Sequence, residues 1–248
     1  MEKVTYSFQP GGASWIKSLA RLTDEVIEYN DNFYRARLQA LQAVDELVEG
    51  VIIRLEQAGI LENTYIFYTS DNGYHISQHR LNPGKECGFE EDINIPLIVR
   101  GPGVPIGESN VVTAHTDLAP TFLQLAGAKW GWDGLDGWPI PLKKDDFEDA
   151  ESLRWEHVNI EFWGRSIPEG NHRFSLDDGK FSMSSKPRYQ ILNLMKLLLV
   201  FYGPNNTYKA LRIVGTKYSL YYSVWCTNEH ELYDLTVSTS RAYYIELG

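Results

Sequence analysis

The sequence predicts an α/β fold, a mixed sheet flanked by helices, followed by a small antiparallel subdomain. Three observations carry this. Apolar residues recur at three and four between Ile16 and Leu55, the helical period. Two β-prone runs, Ile66 to Tyr68 and Ile95 to Val99, bracket a polar loop. Three later runs rich in aromatic and branched residues have no clear helix between them. Helix, turn, strand, polar loop, strand is the cadence of an α/β domain.

The elements follow in order. The start, through Gly12, is punctuated by Pro and Gly and reads as an irregular lead-in. Ser14 can cap a helix through Ile16, Leu19, Leu22 and Val26. A longer helix is expected from Asn32 to Ala58, with Gly59 as its stop. Glu62 and Asn63 turn the chain into a strand at Tyr65 to Thr69. The second strand, Ile95 to Arg100, ends in a Pro and Gly rich connection. Val111 to Ala114 is a brief β-prone piece. Thr116 and Asp117 open a helix over Leu118 to Ala126, where Pro120 is tolerated in the first turn. Trp130 to Glu151 reads as a long surface connection. Strands are expected at Val158 to Trp163, Tyr208 to Val214 and Tyr218 to Trp225. Phe174 to Phe201 fits no element, and the final STSRAYYIELG yields no assignment.

Composition bounds the function. With 248 residues and 43% hydrophobic content the chain can bury a sizeable core, as expected of a soluble globular protein. A net charge of −10, pI about 5.1, and no basic cluster argue against nucleic acid or an anionic membrane as partner. Two cysteines, Cys87 and Cys226, make no disulfide framework or cysteine metal cluster. The first residues lack a secretory profile, and the longest apolar run, Leu192 to Tyr202, is interrupted by Asn193 and Lys196, so no spanning segment is expected. Asn205, Asn206, Thr207 is a single glycosylation triplet, common by chance.

The chemistry concentrates in the loop after Tyr68. Asp71 and Asn72 offer two hard oxygens of the kind calcium or magnesium takes, although Asp, Asn, Gly after a strand is equally an ordinary turn. Lys85 in the same loop could meet an anion held on such a metal. His75 and His79 stand four apart, a zinc spacing if helical. With no third ligand nearby, loop packing or support of other ligands is preferred. Glu90, Glu91 and Asp92 could serve as acids or bases, but solvation or pairing with Arg80 and Arg100 is the commoner use.

Several spaced motifs now fall in one order: Ser70, Asp71, Asn72, Gly73; Gly84, Lys85, three residues, Phe89, Glu90; PLIVRGPG from Pro96; HTDLAPTFLQLAG from His115; HELYDL from His230. In these the chain resembles the sulfatase family of the alkaline-phosphatase-like superfamily, most closely arylsulfatases of the fungal type. The resemblance implies the later part of a sulfatase α/β domain over 1–130, a connecting segment over 131–155, and a small β-rich subdomain over 156–248. It implies Asp71 and Asn72 as ligands of calcium, with magnesium possible. Lys85 would bind the sulfate oxygens of a small-molecule or glycan sulfate ester. His79 falls where many relatives carry a Gly, x, His step, here with Ser77 for the Gly, and His115 and Asp117 match a helix-capping motif. In the family, metal and lysines neutralise the sulfate while a hydrated formylglycine attacks sulfur.

The formylglycine motif, Cys or Ser, x, Pro, Ser or Ala, Arg, has no counterpart here. Cys87 precedes Gly88 and Phe89, Cys226 precedes Thr227 and Asn228, and Ser185, Lys186, Pro187, Arg188 carries its arginine a position early. Calcium takes about six to eight oxygens, and this loop supplies two. The expectation is therefore a C-terminal portion of an arylsulfatase-like hydrolase, from a truncated gene product or an incomplete gene model. The unfitting stretches at Phe174 to Phe201 and after Leu235 would be retained non-coding or frame-shifted sequence. Such a chain is expected to show no turnover alone. The alternatives are a phosphomonoester or phosphodiester hydrolase of the same superfamily, and a non-catalytic remnant or binding fragment.

Overall fold

A computed structural model describes residues 12–17, 19–128, 134–147, 156–163, 207–236 and 243–244. The unassigned piece Phe174 to Phe201 and most of the final segment lie outside them.

The two expected N-terminal helices divide differently. Ser14–Lys17 forms one short turn, α1, and α2 runs from Asp24 to Gln57. Thr23 explains the earlier start: its backbone is extended and its hydroxyl accepts from Val26 N at 3.4 Å. Val26 therefore belongs to α2 rather than to the helix from Ser14. Gly59 follows the helix with φ +68, as its role as a stop requires. Over this long helix only Val26 and Asn30 are buried, while Leu38, Leu41, Leu47, Val48, Val51 and Ile53 lie exposed.

Strands β1 (Ile66–Thr69) and β2 (Leu97–Arg100) pair antiparallel, Ile66 opposite Arg100 and Thr69 opposite Leu97. The strand expected from Ile95 begins two residues later, after Pro96, which has no N–H to give a ladder. Between them the loop makes one turn of helix, α3 (Glu90–Ile93). Val111 to Ala114 forms no strand. Helix α4 (Leu118–Leu125) sets Phe122 edge-on against Phe67 of β1, ring centroids 5.1 Å apart.

Part of the expected surface connection is instead docked. Ile140 and Leu142 are buried, Ile140 N donates to Thr121 Oγ1 at 2.8 Å, and Trp138 N donates to Asp117 Oδ1 at 2.9 Å. The other Asp117 oxygen accepts from Ala114 N at 2.9 Å. Asp117 thus braces the turn before α4 and the returning segment, and no hydrogen bond from its side chain caps α4 itself.

Strands β3 (His157–Phe162), β4 (Tyr208–Val214), β5 (Ser219–Trp225), β6 (His230–Asp234) and β7 (Tyr243–Tyr244) form an antiparallel sheet in sequence order. The last two strands were not legible as strands in the sequence. Tyr208 and Ala210 of β4, Tyr221 and Trp225 of β5, Tyr233 of β6 and the following Leu235 build the main core together with Ala13, Ile16, Cys87 and Phe89. The site loop is therefore fastened to this sheet by buried apolar surface. Gly88 allows the approach, since a Cβ there would stand 2.3 Å from the Tyr221 hydroxyl oxygen.

Candidate metal and anion site

The loop after β1 is held at both ends by backbone bonds. Gly73 N donates to Asp92 O and Tyr74 N to Glu91 O, each at 2.8 Å, so the Asp71 turn rests on α3. A side chain at Gly73 is excluded, because a Cβ would lie 2.0 Å from Glu91 O. Farther along, His75 N donates to Gly84 O at 2.9 Å and Gly84 N to His75 O at 3.1 Å. This two-bond bridge closes the segment carrying His79 and returns Lys85 toward the start of the loop.

The consequence is a close approach between two of the candidate residues. Lys85 Nζ lies 3.8 Å from Asp71 Oδ2. Ser70 Oγ donates to Asp71 Oδ1 at 3.2 Å and to Asn72 O at 3.1 Å. The Asn72 N–H leads in holding the Asp71 carboxyl below its usual range, burial opposes it, and the Ser70 hydroxyl and the Lys85 charge add to the lowering. Asn72 donates its amide nitrogen to Gly73 O at 2.6 Å, so nitrogen, not oxygen, is the bonded end. An ionised carboxylate and a carboxamide oxygen on adjacent residues fit part of a calcium sphere, two of the oxygens such an ion takes.

The two histidines are separated onto different carboxylates. His75 is buried, its Nδ1 2.9 Å from both oxygens of Asp92, and Asp92 also accepts from Cys87 N at 2.8 Å. His79 stacks on Phe89 with centroids 3.9 Å apart, and its Nε2 lies 3.7 Å from Glu91 Oε2. Burial pushes the Glu91 carboxyl up, but the His79 contact and charge, its own backbone N–H and His75 outweigh it, leaving it lowered. Ser77, His79, Arg80 and Glu86 all adopt positive φ, from 54° to 79°. So many non-glycine residues in that region within one loop store backbone strain that surrounding contacts must hold.

The acidic trio does not pair as expected. Glu90 is gripped by Arg212 of β4, while Arg80 bonds Leu19 O at 2.9 Å and Arg100 bonds Glu62 at 2.8 Å and Leu61 O at 3.0 Å. Each arginine has a nearer oxygen supplied by the fold. The Arg212 partnership spans 122 positions, and no local spacing announces it. The same holds for Phe89, whose ring meets Tyr221, Trp225 and Tyr233 at 6.1 to 6.4 Å. Its place in the motif Gly84, Lys85, three residues, Phe89, Glu90 is its sequence signal.

The sulfatase family model matches residues 3–128. The chain belongs to the sulfatase family. Among similar proteins, this sulfatase chain is 42% identical to the sulfatase ppz1 of Metarhizium majus, over 92% of its own length and 42% of that protein's. It is 36% identical to the arylsulfatase of Chlamydomonas reinhardtii, over 94% of the chain and 34% of the relative. Identity to the N-acetylglucosamine-6-sulfatase of Bos taurus is also 36%, over 87% and 37%. The sulfatase chain thus spans under half the length of these relatives. A crystal structure from Bacteroides thetaiotaomicron assigned to the sulfatases superposes with a TM-score of 0.50 at 20% identity, covering 79% of this chain and 34% of that one. This likeness bears on the fold, the mixed α/β class with a C-terminal antiparallel sheet that the sequence predicted. Among the described residues no helix is long and apolar enough to cross a membrane.

Proposed function

We propose that this chain carries the cation-holding and anion-holding portion of a sulfuric ester hydrolase, with Asp71 and Asn72 as metal ligands and Lys85 as the sulfate-binding cation. The observation that carries the reading is the 3.8 Å approach of Lys85 Nζ to Asp71 Oδ2 beside Asn72, in a loop braced at Gly73 and Gly84. An ammonium beside a carboxylate that could hold a metal would help to neutralise an oxyanion drawn to that metal. A bound calcium would supply Lewis acidity toward a sulfate oxygen. The chain's own part is to orient that oxygen through Lys85 and to fix the ligands through the Ser70 hydroxyl. The His79 ring, held on Phe89 and beside Glu91, lies in the same loop and is the weaker candidate for contact with the ester.

The relatives' names, arylsulfatase and N-acetylglucosamine-6-sulfatase, point to a sulfate ester of a small molecule or a glycan. The formylglycine motif does not occur in these residues. Cys87 cannot replace it, because burial, with Asp92, Glu86, Glu231 and Glu91 around it, keeps the thiol well above its ordinary range and hence protonated.

The test is calorimetric titration of the purified chain with calcium, alone and with inorganic sulfate, beside an assay with a chromogenic aryl sulfate. Calcium binding that is lost in Asp71→Ala, sulfate binding that is lost in Lys85→Ala, and no turnover are expected. Calcium binding unchanged in Asp71→Ala would refute the assignment.

A further inference from the structure

A second cluster of donor atoms lies beneath the site loop. His75, Cys87 and Asp92 are all buried, and a ring nitrogen, a sulfur and a carboxylate oxygen from them fall within 4.8 Å of one another. They come from three places: the bridge with Gly84, the position two beyond Lys85, and α3. His75 Nδ1 stands 2.9 Å from both Asp92 oxygens, and Cys87 N donates to Oδ2 at 2.8 Å. The spacing of His75 and His79 is not what assembles them, since His79 turns to Phe89 and Glu91.

The donor set selects the ion. Imidazole, thiolate and carboxylate are the ligands zinc takes, whereas calcium takes oxygens. Zinc bonds of about 2.0 to 2.3 Å in a tetrahedron hold the ligand atoms roughly 3.3 to 3.6 Å apart. From 2.9 Å the imidazole and carboxylate need to part by only a few tenths of an ångström. The sulfur, within 4.8 Å of both, closes by roughly 1 Å at most. The surroundings also favour a dication: Asp92, Glu86, Glu231 and Glu91 all act on the buried sulfur, and the same carboxylates that oppose a lone thiolate attract a positive ion beside it.

We infer that His75, Cys87 and Asp92 hold a structural zinc ion, with a water molecule in the fourth position. On binding, the Cys87 thiol loses its proton to solvent as the zinc–sulfur bond forms, and His75 bonds as the neutral ring with its proton on the other nitrogen. A site this deep is loaded as the chain folds rather than through an open cleft. The ion ties the Gly84 bridge, the stretch after Lys85 and α3 together at one point. It shares no ligand with Asp71 and Asn72 and stands whether or not those residues hold calcium.

The experiment is expression of Cys226→Ser, an exposed position whose replacement leaves Cys87 as the one thiol, in cobalt-supplemented minimal medium. Metal analysis and absorption spectroscopy follow, with cobalt standing in for zinc and reporting its ligands. About one cobalt per chain, visible bands of tetrahedral strength, and a sulfur-to-cobalt charge-transfer band that persists in excess calcium are expected. Adding Cys87→Ser should remove that band and lower the cobalt content about tenfold or more. A chain without cobalt, cobalt without the charge-transfer band, a band that calcium removes, or equal cobalt content after Cys87→Ser would overturn the assignment. If Cys87→Ser does not fold, the spectrum of Cys226→Ser alone decides.

Discussion

The guanidinium of Arg212 holds both oxygens of Glu90, Nε to Oε2 at 2.7 Å and Nη2 to Oε1 at 3.1 Å, with both side chains largely buried. This pair ties β4 of the C-terminal sheet to the helical turn on which the Asp71 loop rests. Two parallel bonds in a fixed fork make it the strongest kind of side-chain ion pair. Arg212→Ala or Glu90→Ala alone should destabilise the chain by about 2–4 kcal/mol, because each strands a partly buried charge. The double variant should cost clearly less than the sum. Urea denaturation of the four proteins measures both statements, and strict additivity would argue against the pair.

Glu231 is a second fastening, wholly buried and surrounded by donors. Ala13 N at 2.7 Å and Tyr233 Oη at 3.0 Å bond one oxygen, while Trp225 Nε1 at 2.6 Å and Ser223 Oγ at 3.2 Å bond the other. Glu231→Gln turns an amide nitrogen toward donors and should cost about 2–4 kcal/mol. The N-terminal segment should loosen first. Faster proteolysis near Ala13, with a changed emission from Trp225, is the expected readout.

The two cysteines should differ sharply in reactivity. Cys226 is exposed, whereas Cys87 is buried with its thiol held well above the ordinary range by burial and four carboxylates. An alkylating reagent at neutral pH should label Cys226 promptly and Cys87 only in denaturant, as mass spectrometry of the digest would show. Prompt labelling of Cys87 in the folded chain would contradict the packing against Phe89.

Acid should loosen the loop through Glu91. Its folded value lies below the ordinary 4.5, so it contributes stability that is present above that value and lost as pH falls through the folded one. Thermal melts from about pH 6 to about pH 3 should therefore decline more steeply for the parent than for Glu91→Gln. Parallel declines would remove Glu91 as the cause.

Much of the fold was legible because its signals are local. The period of α2, the stop at Gly59, and the aromatic runs of β4 and β5 each follow from residues near in sequence. The nearness of Lys85 to the Asp71 turn has a local signal too, since both fall within one loop. What stayed hidden depends on distant partners. Leu232 and Tyr233 read as a motif, and they form β6 because β5 offers a ladder. Ile140 and Leu142 lie in a charged, Pro-rich stretch and are buried where Asp117 and Thr121 capture the backbone N–H groups of Trp138 and Ile140. Glu90 has no sequence cue for Arg212, and His75 none for Asp92 beyond sharing a loop.

The reciprocal bonds between His75 and Gly84 make the intervening segment a closed loop on a fixed neck. Whatever happens between Ile76 and Pro83, Lys85 leaves the neck at the same point relative to Asp71. Length and composition in that segment are thereby uncoupled from the position of the lysine, so the segment can vary while Lys85 stays in register with Asp71.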